Sequence, residues 1–582
     1  MSECVIKDLT MNHGISAVLL YVAALGVSYA DRAPTLIDPE NPARPSRNIP
    51  NEPNAEHAEP QVTIAAPQTN LTPQTLVTVK HIQFIGGTRY ALPSLVAPFR
   101  PLVGKKVALA EIIALTNSIT ERYRQDGYPL SYAFLPRENF QHDTVRIVLV
   151  EGYIAHSDIK SDNKHTGLRL SRLAQRMMAE KPLRQATFDR YSLLMARTPA
   201  TQVEANASLP DNIYGAATMQ VEAKQPHIWD LSSTVDFRKG QNLALVNGTL
   251  SNLTGYGDQL GLATLIPLDK ETRKTYFGTN YQQYLTDNGL LLQLKGSFYR
   301  EDPRDYTPLL YLPQGVSIDA RQKATQYTGG MALSYPLMLE RKKQLSVNAG
   351  LDYVDKRNDY LLRAQGFGNT LDLPSVHQHA RYPAAEFSVN GYREFDTASL
   401  GSRLTLRQGI DAFGADASPA QGTDLNFTRW KGNAEAAWIF IKNWRLSASL
   451  EGDWSDNDLP EAERVTFGAQ RFGRGYPDGE ASGDYGYGGQ LELRYLHARK
   501  EAQWLKSVQP YVLLDGAQTW FNQQGYRHQR LASAAAGVML GDDKHYTVAV
   551  EGARPLADRP SDSNKRDWRF SLTFTYNFNN LR

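Results

Sequence analysis

Trp568-Arg569-Phe570-Ser571-Leu572-Thr573-Phe574-Thr575-Tyr576-Asn577-Phe578 sets six large apolar side chains against five polar ones, in strict alternation. Successive side chains of a strand point to opposite faces, so this segment is a strand with one apolar and one wetted side. A soluble sandwich seldom sustains that pattern for about 11 residues, the length at which a tilted strand crosses a bilayer. Trp444, Leu446, Ala448, Leu450, Gly452 and Trp454 repeat it, alternating with Arg445, Ser447, Ser449, Glu451 and Asp453. Large aromatics at the ends of both runs match the interfacial girdles of membrane barrels.

Period-two alternation continues from Pro226 to the end of the chain. Residues 226–582, at about 10 per strand plus a turn or loop of similar length, accommodate about 16 strands. An open sheet edge would leave backbone polar groups unpaired in hydrocarbon, so the sheet must close. The predicted fold is mainly β: a 16-stranded antiparallel transmembrane β-barrel. Its negative mean hydropathy agrees, because half of each strand faces a polar lumen.

Before the barrel the pattern changes. An apolar stretch from Ile15 to Val27 ends in Ser28-Tyr29-Ala30 and reads as a cleavable export signal, residues 1–30. Nine prolines between residues 31 and 75 forbid a continuous helix and describe an extended periplasmic linker, with a short plug helix or none. Residues 76–153 and 154–225 each alternate strand and helix signals, which gives two small α+β modules. In the first, Leu109, Ile112, Ile113, Ile119 and Tyr123 form one stripe at helical spacing, ended by Gly127, and Val145, Ile147 and Leu149 share a strand face.

Net charge is +2 with both signs mixed, which argues against nucleic acid as a partner. Cys4 is the only cysteine and precedes the apolar stretch, so a disulfide framework and thiolate chemistry are excluded from the mature chain. His377 and His379, two apart in a stretch that reads as a polar loop, lack a third ligand and indicate no metal. No Walker, dinucleotide-binding or nucleophile-elbow pattern occurs, so neither cofactor nor catalytic residue is expected.

One further run, Gln470-Arg471-Phe472-Gly473-Arg474-Gly475-Tyr476, is neither good helix nor good strand. An arginine flanked by glycines can press closely on another backbone. With it goes Gln509-Pro510-Tyr511-Val512-Leu513-Leu514-Asp515-Gly516.

Together these motifs resemble the two-partner secretion transporters of the filamentous-haemagglutinin and haemolysin type. Tyr123 to Tyr128, Ser131, Leu135-Pro136 and Val145 to Gly152 are similar to the first polypeptide-transport-associated (POTRA) domain of that family. Pro182-Leu183, Leu193-Leu194, Pro199 and Leu209-Pro210 are similar to the second, and Asn252 to Asp258 to an early barrel turn. Arg474-Gly475-Tyr476 resembles the family's Val-Arg-Gly-Tyr signature on a loop folded back into the barrel, with Gly473 in place of valine. The resemblance implies that Asp515, followed by Gly516, pairs with Arg474 as a latch flanked by Gln470, Arg471 and Phe472.

The resemblance further implies a Gram-negative outer-membrane location, periplasmic POTRA domains and export of a large partner protein, unfolded in transit. Outer-membrane lipids surround such a barrel. Its last strand (Trp568, Phe570, Leu572, Phe574, Tyr576 and Phe578) is the signal read by the barrel-assembly machinery. An outer-membrane insertase, a passive porin and a barrel enzyme are the competing readings.

Overall fold

The computed structural model describes residues 62–63 and 74–578, apart from internal gaps of one to four residues. The expected export signal, most of the linker and any plug helix lie outside the described residues. Within the linker, β1 (Val62–Thr63) pairs in parallel with a strand of the second module.

The first module contains β2 (Leu76–Thr78), β3 (His81–Ile85), α1 (Leu92–Val96), β4 (Lys106–Ala108), α2 (Leu109–Gln125), β5 (Tyr132–Phe134) and β6 (Thr144–Val150). Central β6 is parallel to β3 and antiparallel to β5. The stripe on α2 buries Leu109, Ile112, Ile119 and Tyr123 against Val145, Ile147 and Leu149, with Ile113 at its margin. Gly127 then takes φ +83°, as a helix-ending glycine does. The sequence put one face of β6 inside, whereas both are buried. Val148 and Val150 pack with Tyr132, Phe134 and Leu209 of the next module, and the Tyr132 hydroxyl donates to Pro210 O at 2.7 Å.

The second module contains β7 (Tyr153–Ser161), α3 (Lys164–Met178), α4 (Gln185–Ala196), β8 (Gln202–Ser208) and β9 (Ala216–Lys224), with sheet order β1-β8-β9-β7. Asn163 starts α3 by accepting from His165 N and Thr166 N, satisfying donors that a helix start leaves open. Alternate residues of β8 and β9, among them Val203, Ala205, Met219 and Val221, pack under α3 and α4.

Sixteen antiparallel strands close the barrel. They are β10 (Trp229–Arg238), β11 (Gln241–Ser251), β12 (Gln259–Pro267), β13 (Thr272–Tyr284), β14 (Leu291–Pro303), β15 (Val316–Leu339), β16 (Lys343–Gly366) and β17 (Asn369–Glu394). There follow β18 (Ala398–Gly409), β19 (Thr428–Ile441), β20 (Trp444–Trp454), β21 (Tyr485–Tyr495), β22 (Ser507–Trp520), β23 (Gln529–Gly541), β24 (Tyr546–Pro555) and β25 (Arg569–Asn577). The seam joins β10 to β25 over seven residue pairs, Ser232↔Asn577 to Arg238↔Ser571. Trp444, Leu450 and Trp454 face outward, while Arg445, Ser447 and Asp453 are buried inside.

The second module docks under one side of the barrel. Tyr284 and Leu339, at strand ends, enter the module's own core. Arg190 donates to Asn288 O at 2.7 Å and Pro336 O at 2.9 Å, and the Tyr191 hydroxyl donates to Asn288 Oδ1 at 2.7 Å. Asn252, with φ +56°, donates to Pro199 O at 2.6 Å, while Asp258 accepts from Thr254 N at 2.8 Å. The Asn252-to-Asp258 turn is thus both a barrel hairpin and a module contact.

Strand lengths depart from the sequence arithmetic. β15, β16 and β17 run to 24, 24 and 26 residues, against about 9 to 11 needed to cross lipid. Their excess stands as a blade at the end away from the modules. On its outer face, the apolar run ends at Tyr327 and Tyr353, and Asp355, Arg357 and Asp359 follow before Leu361. His377 and His379 are therefore on a strand and not in the loop expected. His377 Nδ1 is 2.6 Å from Asp359 Oδ1, and His379 Nε2 is 2.8 Å from Asp416 Oδ2.

Candidate functional site

Between β20 and β21, residues 455–484 turn back into the lumen. A two-stranded ribbon, Val465–Phe467 with Ala481–Gly483, carries the tip. Val465, Phe467, Phe472, Tyr476 and Ala481 pack with Ala517 and Leu531 of the wall. The ribbon supplies backbone pairing, so the glycine-rich tip need not be stable alone.

At the tip, Gly473 pairs with Ala469, and Gly468 N donates to Arg471 O at 2.9 Å. A Cβ on Gly473 would stand 2.9 Å from Gly468 Cα and 3.0 Å from Leu531 Cδ1. The missing valine thus has a physical reason here: this tight turn leaves no room for its side chain. Gly475 lies directly against β24, where a Cβ would fall 2.5 Å from Pro555 N. That approach lets Gly475 N donate to Ser533 Oγ at 2.9 Å.

Asp515, on β22, meets Arg474 through the backbone: Arg474 N donates to Asp515 Oδ2 at 2.9 Å. The Arg474 guanidinium instead ion-pairs with Glu551 on β24, Nη1 to Oε1 at 3.7 Å. The two residues expected to pair are therefore in contact, with the loop backbone as donor. Gly516 follows on β22 opposite Ala532. Tyr476 is buried, its hydroxyl donating to Asp558 O at 2.9 Å and accepting from Ala557 N at 3.2 Å. Arg471 ion-pairs with Glu451 on β20, Phe472 sits edge-on to Phe467 at 5.8 Å, and Gln470 lines the lumen. The residues expected to form the assembly signal lie on the last strand, where Trp568, Phe570, Leu572, Phe574 and Phe578 are exposed on the outer surface.

Sequence reasoning missed the loop's other end. Glu461 accepts from Lys356 Nζ at 3.0 Å and Gln322 Nε2 at 3.3 Å, and also from Asn358 Nδ2. Glu463 accepts from Arg407 Nε at 2.9 Å, Arg429 Nη1 at 3.5 Å and the Tyr382 hydroxyl at 3.0 Å. Pro460-Glu461-Ala462-Glu463-Arg464 matches no motif, and its partners come from five distant strands. The advance signal was a cation at one inward position on each of β16, β18 and β19: Lys356, Arg407 and Arg429.

The loop leaves a lumen cavity of 630 Å³ whose walls mix both signs, including Asp236, Lys274, Lys431, Glu463 and Arg474. Such a channel offers a polar path with no fixed ligand geometry. Among the described residues, no group of three or more His, Cys, Asp or Glu is placed to hold a metal ion.

Comparison with known proteins agrees with this architecture. Residues 77–152 match the "POTRA domain, ShlB-type" family, and residues 312–540 match "Haemolysin secretion/activation protein ShlB/FhaC/HecB". The chain is 23% identical to the heme/hemopexin transporter protein HuxB of Haemophilus influenzae, over 81% of this chain and 82% of that one. It is 22% identical to the outer membrane transporter CdiB of Escherichia coli, over 83% and 80%. The solved structure of CdiB from Escherichia coli superposes with a TM-score of 0.65 at 17% identity, covering 88% of this chain and 93% of that one, so the fold is shared. The chain belongs to the ShlB/FhaC/HecB family of two-partner secretion transporters of the outer membrane.

Proposed function

We propose that this protein captures one large unfolded partner protein in the periplasm and passes it through the barrel to the cell surface. The observation that carries this is the loop 455–484 held across the lumen, above modules docked at the other mouth. A passive pore needs neither of these. The client adds as a strand to an open POTRA edge, gaining main-chain hydrogen bonds, with grooves beside the helices taking alternate side chains. It then threads the polar lumen as the latch of Arg474, Gly475, Tyr476 and Asp515 lets go. Folding of the client outside, one packed repeat on the next, supplies the drive.

Two variants test this with the partner encoded beside the transporter. Deleting 76–224 should abolish the partner's appearance in the medium, whereas a porin would keep its conductance. Arg474→Ala should reduce secretion while leaving the barrel folded in the outer membrane. Normal secretion by Arg474→Ala would remove the latch from the mechanism.

A further inference from the structure

Opposite walls hold the two ends of the inner loop, and they do so with different numbers of ties. At the tip, Arg474 N donates to Asp515 and Gly475 N to Ser533, on β22 and β23, while Arg474 ion-pairs with Glu551 at 3.7 Å and Arg471 with Glu451. Ion pairs fix the limb that descends from β20, with Glu461 on Lys356 and Glu463 on Arg407 and Arg429. These groups are almost wholly buried: Glu461 is 7% exposed, Glu463 4%, and Lys356 and Arg429 3%.

The same limb is built into a lid of outer loops. Leu459 N and Asn522 N both donate to Asp484, each at 3.0 Å. Asn457 donates to Asp424 Oδ2 at 2.6 Å, and Asn522 to Asn457 O at 2.8 Å. Leu459 and Ala462 pack with Phe427 and Tyr382.

Resting on the exporter reading above, we propose that Glu461 and Glu463 are positioning residues for export, forming a fixed pivot on which the loop turns while the Arg474 tip moves. The asymmetry lies in how much each end must break. When the tip lets go, its two backbone donors, Arg471 and Arg474 exchange wall acceptors for lumen water. Withdrawing the limb would break three buried ion pairs at once and, although Arg407 keeps Asp352 and Arg429 keeps Asp453, would also break the lid bonds of Asn457 and Asp484, which is costlier. The lower-cost open state therefore keeps the limb and swings the tip. A loop pivoted at the outer rim clears the path towards the exit and returns to one closed seating.

Cysteine locks in the full-length transporter, co-expressed with its partner, test the division. Cys4 is the chain's only cysteine and lies in the predicted export signal, so added pairs are unambiguous. The tip lock is Phe472→Cys with Gly488→Cys, since a Cβ on Gly488 would stand 3.0 Å from Phe472 Cβ, near disulfide spacing. The limb lock is Asp424→Cys with Asn457→Cys, whose side chains meet at 2.6 Å outside the pivot pairs, bridged by a short bis-thiosulfonate after assembly. Each locked protein is compared with its own reduced form.

The tip lock should abolish secretion until reductant is added, and the limb lock should leave it unchanged. A limb lock that stops secretion would overturn the pivot while leaving the gate intact. If neither lock matters, the gating role of the loop falls with it. Glu463→Gln adds a readout independent of folding: in planar bilayers its closed level should wander among sublevels, and Glu463→Asp should restore one level. A single wild-type closed level in a correctly folded Glu463→Gln barrel would also overturn the pivot.

Discussion

Gly475→Ala is the sharpest perturbation of the latch, because the clash it creates is with backbone. The new Cβ would lie 2.5 Å from Pro555 N, 2.8 Å from Arg554 C and 2.9 Å from Pro555 Cα. Pro555 is held in register with Ser533, so the wall does not yield and the tip does. Restoring ordinary contact moves the tip by about 1 Å. The two 2.9 Å donations, Arg474 N to Asp515 and Gly475 N to Ser533, then pass beyond hydrogen-bond range. A bond to a charged acceptor contributes about 1.5 to 3 kcal/mol and a neutral one about 0.5 to 1.5, so the closed seating loses about 2 to 4.5 kcal/mol. The closed-to-open ratio of the resting channel should fall by about 30- to 1,600-fold. Single-channel recording in planar bilayers reads that ratio, and heat-modifiable electrophoresis verifies the barrel. Wild-type closed occupancy in a folded Gly475→Ala barrel would refute the latch geometry. Ser533→Ala, which removes only the neutral bond, should lower the ratio by about 2- to 12-fold, below that range.

Asn252→Ala removes one of the two donors to Pro199 O, the Thr201 hydroxyl remaining, and puts alanine at φ +56°, costing about 1 to 3 kcal/mol at the module–barrel junction. Faster proteolysis between residues 225 and 228 should report it, with no change in barrel heat stability. Glu151 in the first module is pushed up by burial, but donations from the Thr88 hydroxyl, the amides of Arg89 and Thr88 and the Tyr123 hydroxyl outweigh this and hold it below the usual carboxylate range. A depressed carboxyl contributes stability above its unfolded pKa and loses it as pH falls through the folded one. Amide exchange at Thr88 and Arg89, corrected for intrinsic rate, should therefore accelerate on acidification below the normal carboxylate range. Glu151→Gln should show acceleration already at neutral pH. Phe578→Ser should lower the amount of barrel in the outer membrane but not the heat stability of barrel refolded in detergent. Equal loss in both settings would make Phe578 a packing residue and not an assembly signal.

The barrel was legible wherever lipid imposed its pattern, as in Trp444 to Trp454 and Trp568 to Phe578. It became illegible where β15 to β17 leave the bilayer. Above Tyr353 the outward positions are Asp355, Arg357 and Asp359, because water no longer selects apolar side chains there. A polar stretch then reads as loop, which is why His377 and His379 were placed in one. The site divides in the same way. Arg474, Gly475 and Tyr476 stand together in sequence, so their signature could be read directly. Glu461 and Glu463 draw on Lys356, Tyr382, Arg407 and Arg429, and only barrel closure brings these together. The partner of Arg474 was likewise hidden, since the choice between Asp515 and Glu551 depends on how far the tip advances along the wall.

The blade bears on a hazard particular to a machine that releases unfolded, β-prone chains. Any free strand border near the exit would template the cargo and trap it on its own transporter. One border of the blade, β15, is covered by Thr307–Leu312. The other, β17, is paired with Asp416–Ala417 only at Ala380 and Arg381. Further out it carries Pro374 at a bulge, where Leu361 faces both Pro374 and Ser375, with Asp372 and His377 on either side. A proline lacks the amide that pairing requires, and a bulge breaks the register. The tallest feature of the surface is thus poorly suited to nucleating aggregates of its cargo.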